Sequence, residues 1–369
     1  MKIAVISSHT KSLFSFRMDM MKDFIKHGHS VIALGHESES EWTSKFEIHG
    51  IRYKQIFVDR NGLNPLDDLK MYKELKRFMK EEKPDKIFVY HAKTIIYASL
   101  AAKANGIKEV YPLVAGLGSI FRGHGIKNYV VKTILKIYYR LAFQASKKVF
   151  FQNNDDISVL VNYGLLPTEK VLLINGSGVN LDEFKPEPLP DKPAFLFIGR
   201  LLKDKGIMEY LKACKTVKQE YPEVRCMLVG PYDSNPSALQ PEELEEYINQ
   251  GIVEYYGEQQ DVRPFLKQCS IFVLPSYHEG IPKAVLEAMA VSRAIITTDA
   301  PGCRETVIDG DNGYLVPIKD VNTLVEKMKY LINNKNVVEK MANRSLDIAK
   351  DKFDVKQVNK SIMEGMELL

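Results

Sequence analysis

Short apolar runs alternate with longer stretches of helical spacing along most of this chain. Runs of the first kind, each typical of a buried β-strand, cover Ile3–Ile6, Val31–Leu34, Ile87–Tyr90, Lys148–Phe151, Phe195–Ile198, Cys226–Val229, Ile271–Leu274 and Ala294–Thr297. Stretches of the second kind include Pro65–Glu82 and Ile207–Glu220. Strands that alternate with helices predict parallel sheets with helices on both faces, which is an α/β fold.

The chain is long enough for two domains, since it has 369 residues and 45% of them are hydrophobic. A stretch near the middle, Lys185–Pro193, contains four prolines and is typical of a linker. We therefore predict a first domain at 1–168, a crossover and linker at 169–193, a second domain at 194–350 and a terminal helical segment at 351–369.

Cysteine usage and the chain start favour a cytoplasmic protein that does not cross a membrane. The four cysteines form no Cys-x-x-Cys pair, so we expect free thiols in a reducing compartment. The first apolar run is too short for a signal peptide and indicates a strand instead. No stretch reaches the ~18 uninterrupted apolar residues of a membrane span.

The positive charge is concentrated in the first half of the chain. Residues 1–165 contain 26 Lys and Arg against 16 Asp and Glu, whereas the remainder contains 25 against 31. Residues 120–150 contain seven basic residues and no acid, and Lys132, Lys136 and Arg140 recur every four positions along one predicted helix. Basic, apolar and aromatic residues together favour a helix lying on an anionic bilayer.

Two other interpretations of this helix remain open. Its apolar face can pack on the domain core and leave the basic face in water, which is a common arrangement. A nucleic-acid site would also attract the basic residues, but no helix-turn-helix, RNP-like aromatic pair or zinc motif accompanies them. We expect no nucleic-acid partner.

Glu279 and Glu287 carry the most information about chemistry. The apolar run Ile271–Leu274 predicts a buried strand just before them, and Pro282 suits the first turn of the next helix. Glu279 is therefore expected in the loop at the carboxyl end of a strand, and Glu287 within the first two turns of the following helix. Open α/β sheets bind ligands at this edge.

A sugar nucleotide suits this combination of groups. The helix start near Lys283 and Ala284 offers backbone N–H groups to an anion, while carboxylates accept hydrogen bonds from hydroxyl groups. The alternative is that both glutamates are solvated surface residues, although Glu287 is surrounded by apolar residues in the sequence.

A second anion site is predicted after the strand Phe195–Ile198. Gly199 and Arg200 follow the strand end, and Arg200 with Lys205 suits a diphosphate. A solvated basic loop is the alternative. Asp309 and Asp311 have the Asp-x-Asp spacing of a metal site, but Asn312 and Gly313 follow, so a turn is the favoured interpretation and no metal is expected.

These motifs resemble the family 4 retaining glycosyltransferases over nearly the whole chain. The likeness is carried by Glu279-Gly280-Ile281-Pro282 with Glu287-Ala288, by Ile198-Gly199-Arg200-Leu201 with Lys205, and by Asn175-Gly176-Ser177-Gly178 with Phe184. It is closest to bacterial members that add a hexose or N-acetylhexosamine to an undecaprenyl-diphosphate-linked sugar. The resemblance implies the GT-B fold, in which two Rossmann-like domains face a central cleft and a last helix packs back on the first domain.

The resemblance also implies roles for individual residues. Glu287 would bind the nucleotide ribose, Glu279 the sugar hydroxyls, and His91 the sugar or the transition state. Arg200 and Lys205 would stabilise the leaving diphosphate. The remaining donor-binding residues implied are Gly280, Ile281, Pro282, Lys283, Ala284 and, near the base, Gly257.

On the acceptor side, Arg17 is expected to meet a lipid diphosphate. Gly116, Gly118 and Ser119 form a flexible loop that either approaches substrate or only makes a turn. A lone histidine is often structural, but His91 directly follows a strand, where α/β proteins bind ligands. A structural and a functional role of His91 are therefore about equally favoured.

We therefore expect a metal-independent, retaining enzyme that is peripheral on the inner face of the cytoplasmic membrane. It would move a hexosyl or N-acetylhexosaminyl group, N-acetylgalactosamine foremost, from a UDP-sugar to an undecaprenyl-diphosphate-linked glycan. The alternatives are a synthase or phosphorylase with a soluble acceptor, and a non-catalytic nucleotide-sugar or polyanion-binding module.

Overall fold

The computed structural model describes residues 1–58, 64–117, 126–233, 235 and 237–369. The chain divides into two compact units. The first comprises Met1–Ser177 together with Val358–Leu369, and the second comprises Gly178–Gln357. The boundary thus lies inside the predicted crossover, since the strand Val171–Leu173 still pairs with the sheet of the first unit.

The first unit contains, within the described residues, a seven-stranded parallel sheet. Its strands are β1 (Lys2–Ile6), β2 (Ser30–Gly35), β3 (Arg52–Gln55), β4 (Lys86–Tyr90), β5 (Val110–Val114), β6 (Val149–Phe151) and β7 (Val171–Leu173). They lie in the order β3-β2-β1-β4-β5-β6-β7. The α-helices that connect them are α1 (Thr10–Lys26), α2 (Glu39–Glu47), α3 (Pro65–Glu82), α4 (Ala92–Ala104), α5 (Ile126–Gln144) and α6 (Asn154–Asn162).

The second unit repeats this topology with six parallel strands in its described residues. They are β8 (Ala194–Ile198), β9 (Arg225–Val229), β10 (Glu254–Tyr255), β11 (Ile271–Leu274), β12 (Ala294–Thr298) and β13 (Gly313–Val316), in the order β10-β9-β8-β11-β12-β13. The helices are α7 (Ile207–Glu220), α8 (Pro241–Asn249), α9 (Arg263–Gln268), α10 (Lys283–Ala290), α11 (Val321–Asn333) and α12 (Lys335–Lys352). A last helix, α13 (Val355–Gly365), begins in the second unit and belongs to the first from Val358 onward.

Local sequence explains where α3 begins and ends. Asn64 caps the helix by accepting a hydrogen bond from the Leu66 N–H at 3.1 Å, and Pro65 occupies the first turn, where its missing N–H costs nothing. The helix stops at Lys83, which adopts a left-handed conformation with φ of 45°. Its inner face buries Met71, Leu75, Phe78 and Met79.

Each sheet reverses its strand order at one point, between β1 and β4 in the first unit and between β8 and β11 in the second. β4 and β11 are buried along their whole length, as expected for strands covered on both faces. Loops that leave neighbouring strands in opposite directions at such a point open a crevice at the carboxyl edge of the sheet, where α/β proteins bind ligands.

The proline-rich stretch is fixed to the second unit. Arg293 is fully buried and donates hydrogen bonds to the carbonyls of Glu187 at 2.8 Å and Pro188 at 3.1 Å. The same guanidinium also binds the carbonyls of Leu266 and Ser292, so its charge is satisfied by backbone dipoles. The linker predicted from the prolines is therefore a packed segment in this part.

The end of the chain completes the core of the first unit. α13 starts in the second unit, and from Val358 onward the chain belongs to the first. Ile362 and Met366 are fully buried there in a cluster that includes Phe150. A Cβ atom at Gly365 would lie 2.8 Å from the Phe150 ring, so a side chain at this position would require repacking.

All four cysteines (Cys214, Cys226, Cys269 and Cys303) are buried free thiols, as predicted. Among the described residues, no helix combines the length and the apolar character that crossing a bilayer requires.

Candidate functional site

The predicted donor residues meet at the strand reversal of the second unit. Gly199 and Arg200 follow β8, while Glu279 lies in the loop after β11, which is the neighbouring strand. Lys205 ends a single 3₁₀ turn, Lys203–Lys205, between Arg200 and α7. Residues separated by more than seventy positions therefore share one edge of the sheet.

Lys205 and Glu279 form a bidentate ion pair. The Lys205 Nζ atom lies 2.5 Å from Oε1 and 2.6 Å from Oε2 of Glu279. The two side chains are 24% and 10% exposed, respectively. At this low exposure each charge depends on the other for compensation, so removal of either partner leaves a poorly solvated charge.

Backbone contacts fix the loops that carry this pair. The Tyr277 N–H donates to the Asp204 carbonyl at 2.9 Å, which joins the loop after β11 to the turn containing Lys205. At Gly206, where φ is 73°, a Cβ atom would lie 2.0 Å from the Pro275 carbonyl oxygen. Only glycine permits both the conformation and this close approach.

A second glycine, Gly302, packs against the backbone of the loop that carries Glu279. The Glu279 N–H donates to the Pro301 carbonyl at 2.8 Å. At Gly302, with φ of 80°, a Cβ atom would lie 2.3 Å from the Glu279 carbonyl oxygen and 2.2 Å from that of Gly280. The loop Glu279–Pro282 therefore rests directly on the backbone of the segment after β12.

Glu287 lies one turn into α10, on the side facing Lys283. Its carboxylate is 13% exposed and 3.7 Å from the Lys283 Nζ atom. Burial raises the pKa of Glu287 to about 7, and Lys283 opposes that shift. Because α10 begins after Pro282, the N–H groups of Lys283 and Ala284 lie in its first turn, where the helix itself provides no acceptor carbonyl.

The raised pKa of Glu287 makes stability depend on pH. Because the folded state binds this proton more tightly than the unfolded state, the stabilisation is present below about pH 4.5 and is lost as pH rises through about 7. We expect the unfolding free energy of the unmodified chain to fall, relative to that of Glu287→Gln, between pH 5 and pH 8. Urea unfolding of both proteins across this range measures it, and parallel curves would contradict the burial of an ionisable carboxyl here.

Arg200 is held at the rim of the site. Its guanidinium is 50% exposed and donates to Asp233 at 2.8 Å. Gly257 lies beside the same edge, since its carbonyl accepts a hydrogen bond from the Gly230 N–H at 2.8 Å. Asp233 was not predicted, although its position in the polar segment after β9 was a signal that it could meet Arg200.

The strand reversal of the first unit holds His91. This residue follows β4 and caps α4 with φ of 75°, which is rare for a residue with a side chain. Its Nδ1 atom lies 3.1 Å from the Ser7 hydroxyl and 2.9 Å from that of Ser8. Both serines follow β1, so they hold the ring from the neighbouring strand; neither was named from the sequence, although both directly follow the first apolar run.

Arg17 lies deep in the first unit rather than on its surface. It is 3% exposed, and its guanidinium carbon lies 5.4 Å from the Tyr90 ring centroid and 5.7 Å from that of Phe88. Burial lowers its pKa to about 10, against the influence of Tyr90. Among the described residues, the Nε atom of Arg17 has no hydrogen-bond partner.

The basic stripe of α5 makes local contacts. Lys136 and Lys132 place their Nζ atoms 3.3 Å and 5.3 Å from the Tyr163 ring centroid, and Arg140 donates to the Gly164 carbonyl at 3.1 Å. Of the predicted glycine-rich loop, Gly116 has φ of 121°, while Gly118 and Ser119 lie outside the described residues.

One alternative considered for α5, in which the apolar face opposite the basic stripe packs on the domain core, is wrong for three residues of that face. Ile134, Ile137 and Leu141 are 47%, 58% and 37% exposed. A different apolar row, Tyr139, Ala142 and Phe143, packs into the first unit instead. The helix has apolar residues on two sides, and only one of them can face the sheet.

The Asp-x-Asp segment forms a turn whose carboxylates are engaged. Asp309 accepts a hydrogen bond from the Leu315 N–H at 2.9 Å, and Asp311 pairs with Arg344 at 2.7 Å. Gly310 between them has φ of 79°. Among the described residues, no group of three or more His, Cys, Asp or Glu side chains is placed to hold a metal ion.

Comparison with known proteins decides the family. Residues 180–347 match the glycosyl transferases group 1, and residues 2–153 match the glycosyl transferase 4-like family. The N,N'-diacetylbacillosaminyl-diphospho-undecaprenol α-1,3-N-acetylgalactosaminyltransferase of Campylobacter jejuni is 30% identical over 91% of this chain and 91% of its own. The chain belongs to the family 4 glycosyltransferases.

Solved structures show the fold of this transferase. Anabaena HepE in complex with UDP and glucose superposes with a TM-score of 0.80 at 18% identity, covering 100% of both chains. Sucrose-phosphate synthase of Thermosynechococcus elongatus gives 0.82 at 17% identity, covering 98% of this chain and 97% of its own. The predicted GT-B fold with two parallel-sheet domains is confirmed.

Proposed function

We propose that this transferase moves a hexosyl or N-acetylhexosaminyl group, N-acetylgalactosamine foremost, from a UDP-sugar to an undecaprenyl-diphosphate-linked glycan with retention of configuration. The observation that carries the proposal is the Lys205–Glu279 pair, at the strand reversal and close in sequence to Glu287. It occurs in a chain 30% identical to the Campylobacter jejuni N-acetylgalactosaminyltransferase.

We propose that Lys205 binds the diphosphate while Glu279 binds the sugar. An ammonium group has three N–H donors, and Lys205 directs bonds to both oxygens of Glu279. The third donor can go to a diphosphate oxygen, together with Arg200 and the N–H groups at the start of α10. Glu279 retains acceptor capacity for sugar hydroxyls, and Glu287 supplies the same for the ribose.

Retention fits the charge state of Glu279. A carboxylate bound by an ammonium at both oxygens is a weaker nucleophile than a free one, although its remaining lone pairs can still accept hydrogen bonds from sugar hydroxyls. We propose instead that the acceptor attacks from the face of the leaving diphosphate, which takes the acceptor proton. The protein then mainly positions the reactants and stabilises charge on the departing UDP.

Metal independence follows from the same cations. Arg200, Lys205 and the helix start can neutralise the leaving diphosphate, while Asp309 and Asp311 are engaged in their turn. We expect EDTA to change the transfer rate by less than about twofold, well short of the 1.4 kcal/mol that corresponds to tenfold. Loss of activity with rescue by Mn²⁺ would contradict this mechanism.

Arg17 is proposed to bind the diphosphate of the lipid-linked acceptor. The Nε atom of Arg17 has no hydrogen-bond partner in the part of the chain that the structure describes; burying a guanidinium in this way is costly, and an anionic ligand offsets that cost. Arg17→Met keeps the apolar stem against Tyr90 and Phe88 while removing the charge.

For Arg17→Met we expect an acceptor KM raised about 10- to 100-fold, as for loss of a charged hydrogen bond, with unchanged hydrolysis of the UDP-sugar. The urea midpoint should stay the same or rise, since a desolvated charge is gone. A less stable variant with an unchanged acceptor KM would show that Arg17 is structural.

We propose that the transferase acts at the membrane surface. The acceptor named for the Campylobacter jejuni relative is a diphospho-undecaprenol, and the first half of the chain carries an excess of basic residues. We propose peripheral association on the cytoplasmic face, where undecaprenyl-diphosphate-linked acceptor and UDP-sugar would meet.

One experiment tests the function as a whole. UDP-Gal, UDP-Glc, UDP-GalNAc and UDP-GlcNAc are each incubated with the enzyme and a lipid-diphosphate-linked sugar, and the product is identified by mass spectrometry. Transfer of one sugar to the lipid acceptor is the expected result. Transfer only to soluble sugars would indicate a synthase, and no turnover of any donor would indicate a binding module.

A further inference from the structure

In the described part of the first unit, two helices expose large apolar side chains to solvent. On α5, Ile134, Ile137, Tyr138 and Leu141 are 47%, 58%, 37% and 37% exposed. Their spacing of three and four positions puts them on one side of the helix. On α3, Leu66 is 74% exposed and Leu69 is 46% exposed. We call these residues the α3–α5 surface.

Contacts through α4 hold the two parts of this surface together. The Tyr97 hydroxyl of α4 donates to Asp68 of α3 at 2.9 Å. The ring of the same tyrosine lies 6.3 Å from the ring of Tyr138 on α5. Lys93, also on α4, pairs with Asp68 at 2.8 Å. Asp68 of α3 and Tyr138 of α5 therefore contact the same tyrosine, and α3 and α5 both pack against α4.

The charges at this surface are predominantly positive. An open groove of about 630 Å³ along α3 is lined by Leu66, Leu69, Lys70, Lys73, Glu74 and Arg77. Its one acid accepts a hydrogen bond from the Phe57 N–H at 3.0 Å, so its charge is partly used within the unit. The three cations are exposed and lie on the same side of α3 as the two leucines.

We propose that the α3–α5 surface inserts its apolar side chains into the interfacial region of an anionic bilayer, while Lys70, Lys73 and Arg77 bind lipid phosphates in the groove. Exposed aliphatic and aromatic side chains bordered by cations are what an interfacial bilayer contact requires. The surface deepens the proposed membrane association and rests on it for its biological purpose. The proposed bilayer contact of α5 thus lies on its exposed apolar side. The basic stripe is not the main contact, because its members contact Tyr163 and Gly164.

The placement also accounts for access to a lipid-linked acceptor. α3 and α5 begin at the carboxyl edge of the sheet in the first unit, because each helix returns antiparallel to the parallel strands. His91 lies at the same edge, directly before α4. A bilayer against the first turns of α3, where Leu66 and Leu69 lie, would present phosphate headgroups near that edge.

Depth-dependent fluorescence quenching tests the insertion. The chain has a single tryptophan, Trp42, which is 8% exposed and provides a constant background measured on the unmodified protein. Ile137→Trp is mixed with phosphatidylglycerol–phosphatidylcholine vesicles that carry bromine on their acyl chains. Ile308→Trp is the matched control, since Ile308 is 53% exposed but lies in the second unit.

We expect strong quenching and a blue shift for Ile137→Trp and neither for Ile308→Trp. The double variant Leu66→Gln with Ile137→Gln should partition at least about tenfold less both onto these vesicles and onto vesicles of phosphatidylcholine alone. Reversing Lys70, Lys73 and Arg77 to Glu should reduce binding to anionic vesicles only, and high salt should mimic that effect. Vesicle binding without quenching at position 137 would overturn the proposal.

A second copy of the chain is the competing occupant. If the Leu66→Gln and Ile137→Gln changes turn a lipid-free dimer into a monomer in light scattering, the surface is a protein interface and the proposal is wrong. UDP-sugar hydrolysis in detergent is measured on the same variants. Absence of hydrolysis in every protein, with quenching intact, would refute the proposed transferase function and leave the bilayer contact standing.

Discussion

Replacing Glu279 by Gln should reduce sugar transfer by a factor on the order of 100 or more. The amide keeps the shape of the side chain but removes the charge that Lys205 binds at 2.5 Å and that the sugar hydroxyls are proposed to meet. A charged hydrogen bond lost in a site with 10% exposure costs roughly 3 kcal/mol, which corresponds to that factor. UDP affinity should change little, since the freed Lys205 can still bind phosphate.

Steady-state transfer assays and calorimetry with UDP measure the two effects separately. Glu326→Gln is a suitable control, because that side chain is 68% exposed and pairs only with its neighbour Lys327 in the described residues. Near-normal turnover of a folded Glu279→Gln protein would remove Glu279 from the proposed mechanism. A large loss of UDP affinity would place it at the diphosphate instead.

Replacing Lys205 by Ala should weaken UDP binding about 10- to 100-fold, and Arg200→Ala should have a smaller effect in the same direction. Each change removes a charge-assisted phosphate contact. Lys205 is 24% exposed, whereas Arg200 is 50% exposed and pairs with Asp233, so solvent screens more of its contribution. Lys205→Ala also removes the ammonium group that pairs with Glu279 and should slow transfer further.

Calorimetry with UDP and with uridine separates the phosphate contribution from that of the base and ribose. Lys203→Ala is the matched control, since Lys203 lies two residues away, is 45% exposed and pairs with Glu243. If Lys205→Ala binds UDP normally, and uridine binds as tightly as UDP, the diphosphate site lies elsewhere in the chain. The double variant with Glu279→Gln would then quantify the coupling of the pair.

Much of the fold follows from apolar runs and helical spacing. Central strands such as β4 and β11 are buried on both faces and consist of continuous apolar residues, which makes them visible in a single sequence. The edge strands β3 and β10 were not singled out, because half or more of their side chains are polar or charged. β5 contains Pro112, a residue that argues against a strand.

The sequence singles out Arg200 and Glu279 as candidate donor residues because each follows a recognisable strand end. It does not predict the pairing of Lys205 with Glu279, since that contact depends on β8 and β11 being neighbours in the sheet. The burial of Arg17 was also hidden, because one arginine in an amphipathic helix gives no sign of which side faces the sheet. The same ambiguity affects α5, because its two apolar sides are equivalent in the sequence and only packing in the first unit decides which one is buried.

The packing of Val358–Leu369 into the first unit has a consequence for synthesis on the ribosome. Residues 1–177 leave the ribosome before residues 358–369, so the place of Ile362, Met363 and Met366 in their core stays empty until that segment is translated. At about 5–20 residues per second, translating residues 178–357 takes roughly 10–40 s. The nascent first unit therefore exposes apolar core residues throughout that time. A premature stop before Val358 would damage the unit that was made first.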